Sequence, residues 1–339
     1  MRHRDWVFLA FIFISFFAKG QDVQYSQFYA NPLYLNPAFA GSTDQTRLGA
    51  NFRNQWPGLD ESFISYTAYA DFFKEEINSG FGLIFTGSRE SFLQSQVMEA
   101  GLVYSYRLRL SESDFLQFGM QGSFYSRDAL FDDIILGTQL DIDRGVIVGA
   151  PGEGFEGDSR LRAFDAHAGI LAYGERYWFG FSAFHLLEPP ISYLDVESNT
   201  LPIRFNAHGG IRFDLAPGDI NDFFNNTDQE RSLAFAFNYK SQGAFSQLDI
   251  GTEFYFEPLI LGVWYRGLPT KYQLPNSESI VALVGISLES GIEIGYSYDF
   301  LISKLGQTAT GGAHEISIRY LLSPNPAKRK MSNSPGFRF

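Results

Sequence analysis

The chain has 339 residues, no cysteine and a formal net charge of −12 at pH 7. The lack of cysteine argues against a disulfide framework and a lipoprotein anchor, and the acidic balance disfavours nucleic acid as a partner. Aromatic residues make up 17% of the sequence, with 35 Phe and 18 Tyr. This composition is more typical of a membrane barrel with aromatic girdles than of a soluble domain.

Residues 1–20 have the pattern of a signal peptide. Arg2 and Arg4 precede the apolar stretch Trp6 to Phe17, which is shorter than the roughly 20 apolar residues that a membrane-spanning helix needs. The stretch is followed by the small-x-small triplet Ala18 to Gly20. We therefore expect cleavage before Gln21 and export of the rest of the chain. The alternative is a buried N-terminal helix.

Residues 21–45 predict an irregular strap in front of the first strand. They contain two Asn-Pro steps, Asn31 with Pro32 and Asn36 with Pro37, around an aromatic and aliphatic patch. Proline has no donor for a strand ladder and keeps the preceding residue away from the helical conformation. We expect the strap to plug a lumen or to cap its periplasmic mouth. Its segment Asn31 to Gly41 precedes the first strand and is expected to add no hydrogen bonds to the wall. A role in docking a partner and a purely structural role are both compatible with the sequence.

Apolar and polar residues alternate along almost all of the chain that follows. From Met98 to Leu110, apolar residues at even positions oppose an odd-numbered set that includes Glu99, Arg107 and Arg109. A period of two indicates a β-strand, so residues 46–322 predict an all-β fold, a transmembrane antiparallel β-barrel. Its fourteen predicted strands lie near residues 46–56, 62–72, 79–87, 93–110, 114–127, 161–173, 176–187, 202–216, 231–241, 245–256, 259–267, 278–289, 292–303 and 313–322.

The lengths of the connections favour a membrane barrel over a soluble β-sandwich. Short connections such as Ser111 to Ser113 fall where a barrel has its periplasmic turns, whereas the long stretches Asp128 to Arg160 and Glu188 to Leu201 fall outside. Pro217 to Glu230 breaks this rule, because it is long and would be periplasmic. A sandwich would also expose the charged faces of these strands on an open sheet, which a closed hydrated or plugged lumen avoids.

No enzyme motif is legible in the sequence. The histidines are scattered, without cysteine partners or the spacing of a zinc site. We interpret His167 and His208 as hydrogen-bonded lumen residues on distant strands. The outer loop Asp128 to Arg160, which we call the acidic outer loop, is interpreted as solvated, with weak calcium binding as the alternative. No cofactor and no metal site are predicted.

Segments near both ends of the mature chain form specific motifs. Residues 21–41 read QDVQYSQFYANPLYLNPAFAG and are followed by the segment Arg53 to Trp56. Residues 294–305 read IGYSYDFLISKL, and residues 312–320 read GAHEISIRY. In this order the motifs resemble the PorP/SprF family of type IX secretion and gliding-motility outer-membrane proteins. The acidic outer loop and the basic tail, residues 323–339, which we expect in the periplasm, depart from the family pattern.

The resemblance implies a non-enzymatic outer-membrane component of the type IX export system. Its implied partners are secretion-machine proteins, a large secreted adhesin, or both, within outer-membrane lipid. The alternatives are a transporter of hydrophobic small molecules similar to the long-chain fatty-acid channels, and a general porin. We expect Tyr296 and Tyr298 on the lipid face and Asp299 in the lumen. The candidate family-motif or docking residues are Gln27, Asn31, Pro32, Asn36, Pro37, Gly41, Arg53, Gln55, Trp56, Tyr296, Tyr298, Asp299, His314 and Glu315.

Overall fold

A computed structural model of the protein describes residues 22–59, 62–91, 95–129, 140–141, 146–147, 160–192, 199–215, 230–267, 279–302 and 310–322. The predicted signal peptide, most of the acidic outer loop and the basic tail lie outside these residues. Within them the chain forms a closed barrel of fourteen strands, and the strap lies inside it. No helix in the described part of the chain is long and apolar enough to cross a membrane.

The barrel strands follow one another along the chain as a meander. They are β1 (Thr46–Gln55), β2 (Phe63–Lys74), β3 (Ser79–Glu90), β4 (Ser95–Arg109), β5 (Phe115–Asp128), β8 (Arg160–Tyr173), β9 (Tyr177–Phe184), β10 (Arg204–Asp214), β11 (Arg231–Gln242), β12 (Phe245–Phe256), β13 (Leu259–Arg266), β14 (Ser279–Ser287), β15 (Ile292–Leu301) and β16 (Ala313–Leu322). A two-stranded ribbon, β6 (Leu140–Asp141) and β7 (Val146–Ile147), lies between β5 and β8 in sequence.

The predicted fold and the fourteen predicted strands are confirmed. Each strand pairs antiparallel with its neighbour, and β1 closes the barrel by pairing with β16. The ribbon of β6 and β7 was not predicted, because two-residue strands are too short to show alternation. Strand β9 ends at Phe184, earlier than the predicted residue 187. The reason is local: His185 has a φ of 59°, a left-handed conformation that a strand does not accommodate.

The alternation places apolar side chains outside the barrel and polar side chains inside it. On β4, Leu102 is 68% exposed, whereas Ser105 and Arg107 are buried. The apolar outer surface suits contact with lipid. The buried charges of the lumen must be paired or hydrogen-bonded, because an isolated buried charge is costly.

Most of the tight turns join strands at one end of the barrel, and one, residues 243–244, lies at the opposite end. The turns of the first end comprise residues 75–78, 110–114, 174–176, 257–258 and 288–291. We call this end inner and the opposite end outer, because the periplasmic turns of outer-membrane barrels are short.

The strap is built from three short helical turns. The 3-10 turns Phe28–Ala30 and Pro37–Phe39 flank a single α-helical turn, Pro32–Leu35. Proline begins the second and third turns. At this position the backbone N–H has no partner within the helix, so its absence in proline costs no hydrogen bond. The Asn36 side chain caps the third turn by accepting a hydrogen bond from the Ala38 N–H at 2.9 Å. Most strap residues are buried inside the barrel, so the strap lies in the lumen and does not merely cover its mouth.

Candidate functional site

The candidate site is the lumen itself, where the strap contacts the wall in three regions of charged side chains and, between the second and third of them, through Asn36. The outermost region, which we call the outer latch, comprises Asp22, Asp165, His185 and Arg204. The Asp22 carboxylate lies 2.8 Å from His185 Nε2 and 2.8 Å from Arg204 Nη1. The Asp165 carboxylate lies 2.6 Å from His185 Nδ1. The backbone N–H of Asp22 donates to the Gln242 side chain at 3.0 Å. The first described residue of the strap is therefore fixed on three strands or their ends.

Charge pairing keeps His185 in its protonated form. Burial alone would lower the pKa of His185, but Asp22 and the hydrogen bond to Asp165 raise it to about 10. Burial would raise the pKa of Asp22, but His185 and Arg204 hold it well below its usual range. At neutral pH Asp22, His185 and Arg204 are therefore all charged.

The outer latch also joins two histidines that the sequence presents as unrelated. His167 Nδ1 accepts a hydrogen bond from the His185 backbone N–H at 3.0 Å, and His167 Nε2 lies 2.6 Å from the Glu99 carboxylate. His167, His185 and Asp165 bring potential metal-ligating atoms within 4.8 Å of one another. Each ring nitrogen nevertheless has a protein partner, so the group is complete as a hydrogen-bonded cluster. His167 is a hydrogen-bonded lumen residue as predicted, but its contact with His185 was not predicted.

The second region, the central clamp, surrounds Ser26. The Arg53 guanidinium lies 2.8 Å from the Asp299 carboxylate and donates to Ser26 Oγ at 2.5 Å. Arg266 Nη1 lies 2.9 Å from the same carboxylate of Asp299. Glu315 accepts a hydrogen bond from the Ser26 backbone N–H at 2.6 Å. Two arginines and two carboxylates, all buried, thus enclose one strap residue and balance each other's charge.

Gln27 extends the central clamp along β16. Its side chain donates to the Glu315 carbonyl oxygen at 3.1 Å and accepts from Ser317 Oγ at 2.6 Å. Asn31 and Pro32 are buried next to this segment in the lumen. The Asn31 side-chain amide has no hydrogen-bond partner among the described residues, so Asn31 does not serve as a clamp.

Asn36 ties the middle of the strap to the wall. Its Nδ2 donates to the carbonyl oxygens of Ile170 at 3.0 Å and Phe181 at 3.3 Å, and lies 3.2 Å from His208 Nε2. The expectation that Asn31 to Gly41 adds no hydrogen bonds to the wall is therefore wrong. A carbonyl oxygen has two lone pairs, so a wall carbonyl that pairs with a neighbouring strand can still accept from Asn36.

The third region lies near the inner end, around Gly41. The Gly41 N–H donates to the Asp71 carboxylate at 2.7 Å, and its carbonyl oxygen accepts from Arg107 at 2.6 Å. Arg47 Nε lies 2.9 Å from Asp71, and Arg47 also donates to the Phe39 carbonyl oxygen at 3.0 Å. Gly41 has a φ of 68°, which glycine adopts without steric cost. Here the strap turns into β1.

Glycines in the wall make room for the strap. A Cβ atom added at Gly119 would lie 2.2 Å from the Ala38 backbone nitrogen, and one added at Gly80 would lie 2.1 Å from the Ala40 carbonyl oxygen. A Cβ atom at Gly169 would lie 1.9 Å from Asn36 Oδ1. The wall is therefore shaped to the backbone of the strap, a relationship that the sequence gives no means to predict.

Tyr296, Tyr298 and His314 lie on the outside of the barrel. The Tyr296 hydroxyl is 2.8 Å from His314 Nδ1, and the Tyr298 hydroxyl donates to the Gly311 carbonyl oxygen at 3.1 Å. Tyr296 and Tyr298 face outward in β15 while Asp299 is buried in the lumen, as predicted. Their hydroxyl groups suit the aromatic girdle of a membrane barrel.

Gln55 and Trp56 lie at the outer end of β1. The backbone N–H of Trp56 donates to the Gly312 carbonyl oxygen at 2.8 Å, and the Trp56 ring packs edge to face against Phe63 with 5.5 Å between centroids. The structure therefore divides the candidate residues into two groups. The lumen group is Gln27, Asn31, Pro32, Asn36, Pro37, Gly41, Arg53, Asp299 and Glu315, and the rim and outward group is Gln55, Trp56, Tyr296, Tyr298 and His314.

The lumen is suited to holding its own strap and not to holding an apolar solute. A cavity of about 80 Å³ lies beside the outer latch, between the strap and β3, β4 and β5. It has room for a few water molecules, each of which takes up roughly 30 Å³. Its lining mixes charged side chains such as Asp22 and Arg204 with apolar ones such as Phe184 and Leu201, and its volume is far below the roughly 300–1,000 Å³ of a typical ligand pocket.

Fold and site together define a β-barrel membrane protein with a charged lumen that its own N-terminal segment occupies. The chain belongs to the family described as type IX secretion system membrane protein PorP/SprF, whose model matches residues 17–320. The expected family is thus confirmed, and it supports an outer-membrane secretion component rather than an enzyme.

Solved structures of other proteins align with most of this chain, at TM-scores below 0.5. A FadL homologue of Pseudomonas aeruginosa aligns with 13% identity and a TM-score of 0.41, over 84% of this chain and 92% of that chain. The TodX monoaromatic hydrocarbon channel, a mutant lacking S2 and S3, aligns with 13% identity and a TM-score of 0.46, over 85% of this chain and 92% of that chain. No curated protein sequence matches the chain.

Proposed function

We propose that this protein is a non-conducting outer-membrane component of the type IX secretion machinery that supports the export or surface attachment of a large adhesin. The observation that carries the proposal is the buried strap in the lumen, which is ion-paired to the wall through Asp22 and hydrogen-bonded to the central clamp through Ser26. A lumen occupied by a strap that is held to the wall in this way offers no passage for a folded cargo or a greasy solute. Such a barrel acts through its surfaces.

The two ends of the barrel offer different surfaces. The tight turns of the inner end carry exposed carboxylates, among them Glu75, Glu76, Glu112 and Glu175, and this end faces the periplasmic machine in the proposed orientation. Attraction between these carboxylates and basic groups of a partner would mainly set the choice of partner and the association rate. The outer end carries the long connections and the ends of strands β5 and β8, which project beyond strand β9. In the proposed orientation this end faces the exported protein.

The test is deletion of the gene in a strain with an active type IX system, followed by surface immunolabelling of its large adhesins. We expect one adhesin to disappear from the surface, while other type IX cargo is secreted normally and a plasmid copy restores display. Adhesin retained in the periplasm would indicate a role in export, and adhesin released into the medium would indicate a role in attachment. Unchanged display of every adhesin would contradict the proposal.

Planar-bilayer recordings test the non-conducting state separately. The purified barrel should show no stable open channel, because the strap spans the lumen. A variant without residues 22–42 serves as the control that the assay detects an opened barrel. Stable conductance by the wild-type protein would favour the porin alternative.

A further inference from the structure

Strand β8 extends far beyond its neighbour at the outer end of the barrel. It runs from Arg160 to Tyr173, and β5 pairs with all of it. On its other side β9 pairs only from Ala168 to Tyr173. One further bond, from the Leu186 N–H to the Ala166 carbonyl oxygen at 3.0 Å, continues this side. Above Ala166 no strand among the described residues pairs with this edge.

The chain after β9 turns away from the wall for a local reason. His185 and Glu188 both have positive φ values, 59° and 46°, and the Glu188 N–H donates to the His185 carbonyl oxygen at 3.0 Å, closing a turn. Pro189 and Pro190 follow and have no N–H to donate to a strand ladder. The end of the β9 ladder is therefore built into the sequence at this point.

The register of β8 identifies which of its backbone N–H and C=O groups face the side without a neighbouring strand. In an antiparallel ladder the N–H and C=O of one residue point to the same neighbour, and the next residue points to the opposite one. Because the Ala166 carbonyl faces β9, the backbone groups of Phe164, Arg162 and Arg160 face the open side. Those of the odd-numbered residues between them face β5. The open edge spans roughly 15 Å, at about 3.3 Å for each residue.

The side chains along the open edge indicate the kind of partner. Arg160 and Arg162 are exposed, and Phe164 is 75% exposed, more than any other large apolar side chain of the described residues. Exposed strand edges are templates for pairing with another chain, and extended peptides bind sheet edges in this way. Two arginines on the edge favour a strand with carboxylates. A second copy of this chain would place arginine opposite arginine.

We propose that the open edge of β8, Arg160 to Phe164, is a docking site for an extended, acidic segment of an exported protein. The segment adds a strand beside β8, its backbone bonding to Phe164 and Arg162 and its carboxylates pairing with Arg160 and Arg162. The inference rests on the proposed function for the nature of the partner, but the open edge stands independently of it.

Hydrogen exchange of the purified barrel tests whether the edge is open. The amides of Phe164 and Arg162 should exchange fast, whereas those of Ala163 and Asp165, which bond to β5 in the same strand, should be protected. Protection of all four amides in the purified protein would mean that its own chain covers the edge, and the proposal would be wrong.

A synthetic peptide tests the chemistry of the partner. A nine-residue peptide of alternating valine and glutamate should bind the purified barrel and slow exchange at Phe164 and Arg162. The matched peptide with lysine in place of glutamate should bind more weakly. Arg162→Pro removes one open backbone donor and one guanidinium, and it should weaken binding at least about fivefold, since one hydrogen bond alone contributes roughly 1 kcal/mol. Equal binding of both peptides, or none by either, overturns the proposal.

The proline variant also has an internal control for folding. Arg162→Pro leaves the ladder to β5 intact, so the barrel should assemble at normal levels. Ala163→Pro removes a donor from that ladder and should disturb the pairing of β5 and β8.

In cells Arg162→Pro should reduce adhesin display and the Arg162→Lys variant should retain it. If gene deletion abolishes display but Arg162→Pro does not, the docking site is wrong while the proposed function stands. If deletion has no effect on display, the proposed function fails, and peptide binding still decides the site.

Discussion

Arg53 on β1 and Asp299 on β15 meet inside the lumen at 2.8 Å, across the intervening strand β16 and against Ser26 of the strap. The pair is buried on both sides. It therefore couples strap insertion to barrel closure, since Arg53 and Asp299 belong to the first strand and the penultimate strand of the barrel.

Asp299→Asn should destabilise the barrel, because it leaves Arg53 and Arg266 around one neutral amide. Breaking a buried ion pair from one side costs about 3–5 kcal/mol. We expect a lower midpoint of urea unfolding in lipid vesicles and less heat-modifiable barrel on gels. Asp214→Asn is the matched control, because the Asp214 side chain is 53% exposed and its pair with Arg176 is long, at 3.5 Å. A surface pair of this kind contributes little. Equal effects of the two variants would contradict this account of the clamp.

Gly119→Ala should impair assembly, since its Cβ atom would lie 2.2 Å from the backbone nitrogen of Ala38. Overpacking of this kind typically costs about 1–3 kcal/mol. Gly122→Ala, on the same strand, is the control, because its Cβ atom would have nothing within 4 Å. Folding yield in vesicles measures both. A normal yield for Gly119→Ala would show that the strap does not lie against β5.

Asn36→Ala should loosen the strap and lower the stability of the whole barrel. It removes the donor to the Ile170 carbonyl and the acceptor for the Ala38 N–H, and a buried group left without its partner costs about 1–3 kcal/mol. Protease sensitivity of the strap and the unfolding midpoint should change together. Normal stability combined with lost adhesin display would instead support a docking role for this motif.

Stability should fall in alkaline solution because of His185. The pKa of His185 is raised to about 10 in the folded protein, whereas an unperturbed histidine has a pKa of about 6.5. Its contribution is complete below about pH 6.5, decreases as pH rises, and is lost above about pH 10. The Asp22 pKa is lowered, so its contribution is lost in acid. We expect the thermal midpoint to fall between pH 7 and pH 10, and less steeply in His185→Gln. Identical pH profiles for the two proteins would contradict the outer latch.

The wall of the barrel could be predicted from the sequence, and the contents of its lumen could not. Alternation reports which face of a strand each side chain occupies, because neighbouring residues of a strand point to opposite faces. It therefore placed Tyr296 outside, Asp299 inside and all fourteen strands near their observed positions. The two Asn-Pro steps marked an irregular strap, and the motifs at both ends indicated the family.

Tertiary structure alone decided which lumen residues meet. His167 and His185 lie on adjacent elements, but their contact depends on the left-handed turn after Phe184. Ser26 meets Asp299, 273 residues away, only because the barrel closes around the strap. Periodicity is a local property and carries no information on these distances. The same limit applies to the open edge of β8. Whether this edge is paired depends on the length and register of the neighbouring strand β9, and the register between strands follows from closure of the whole sheet.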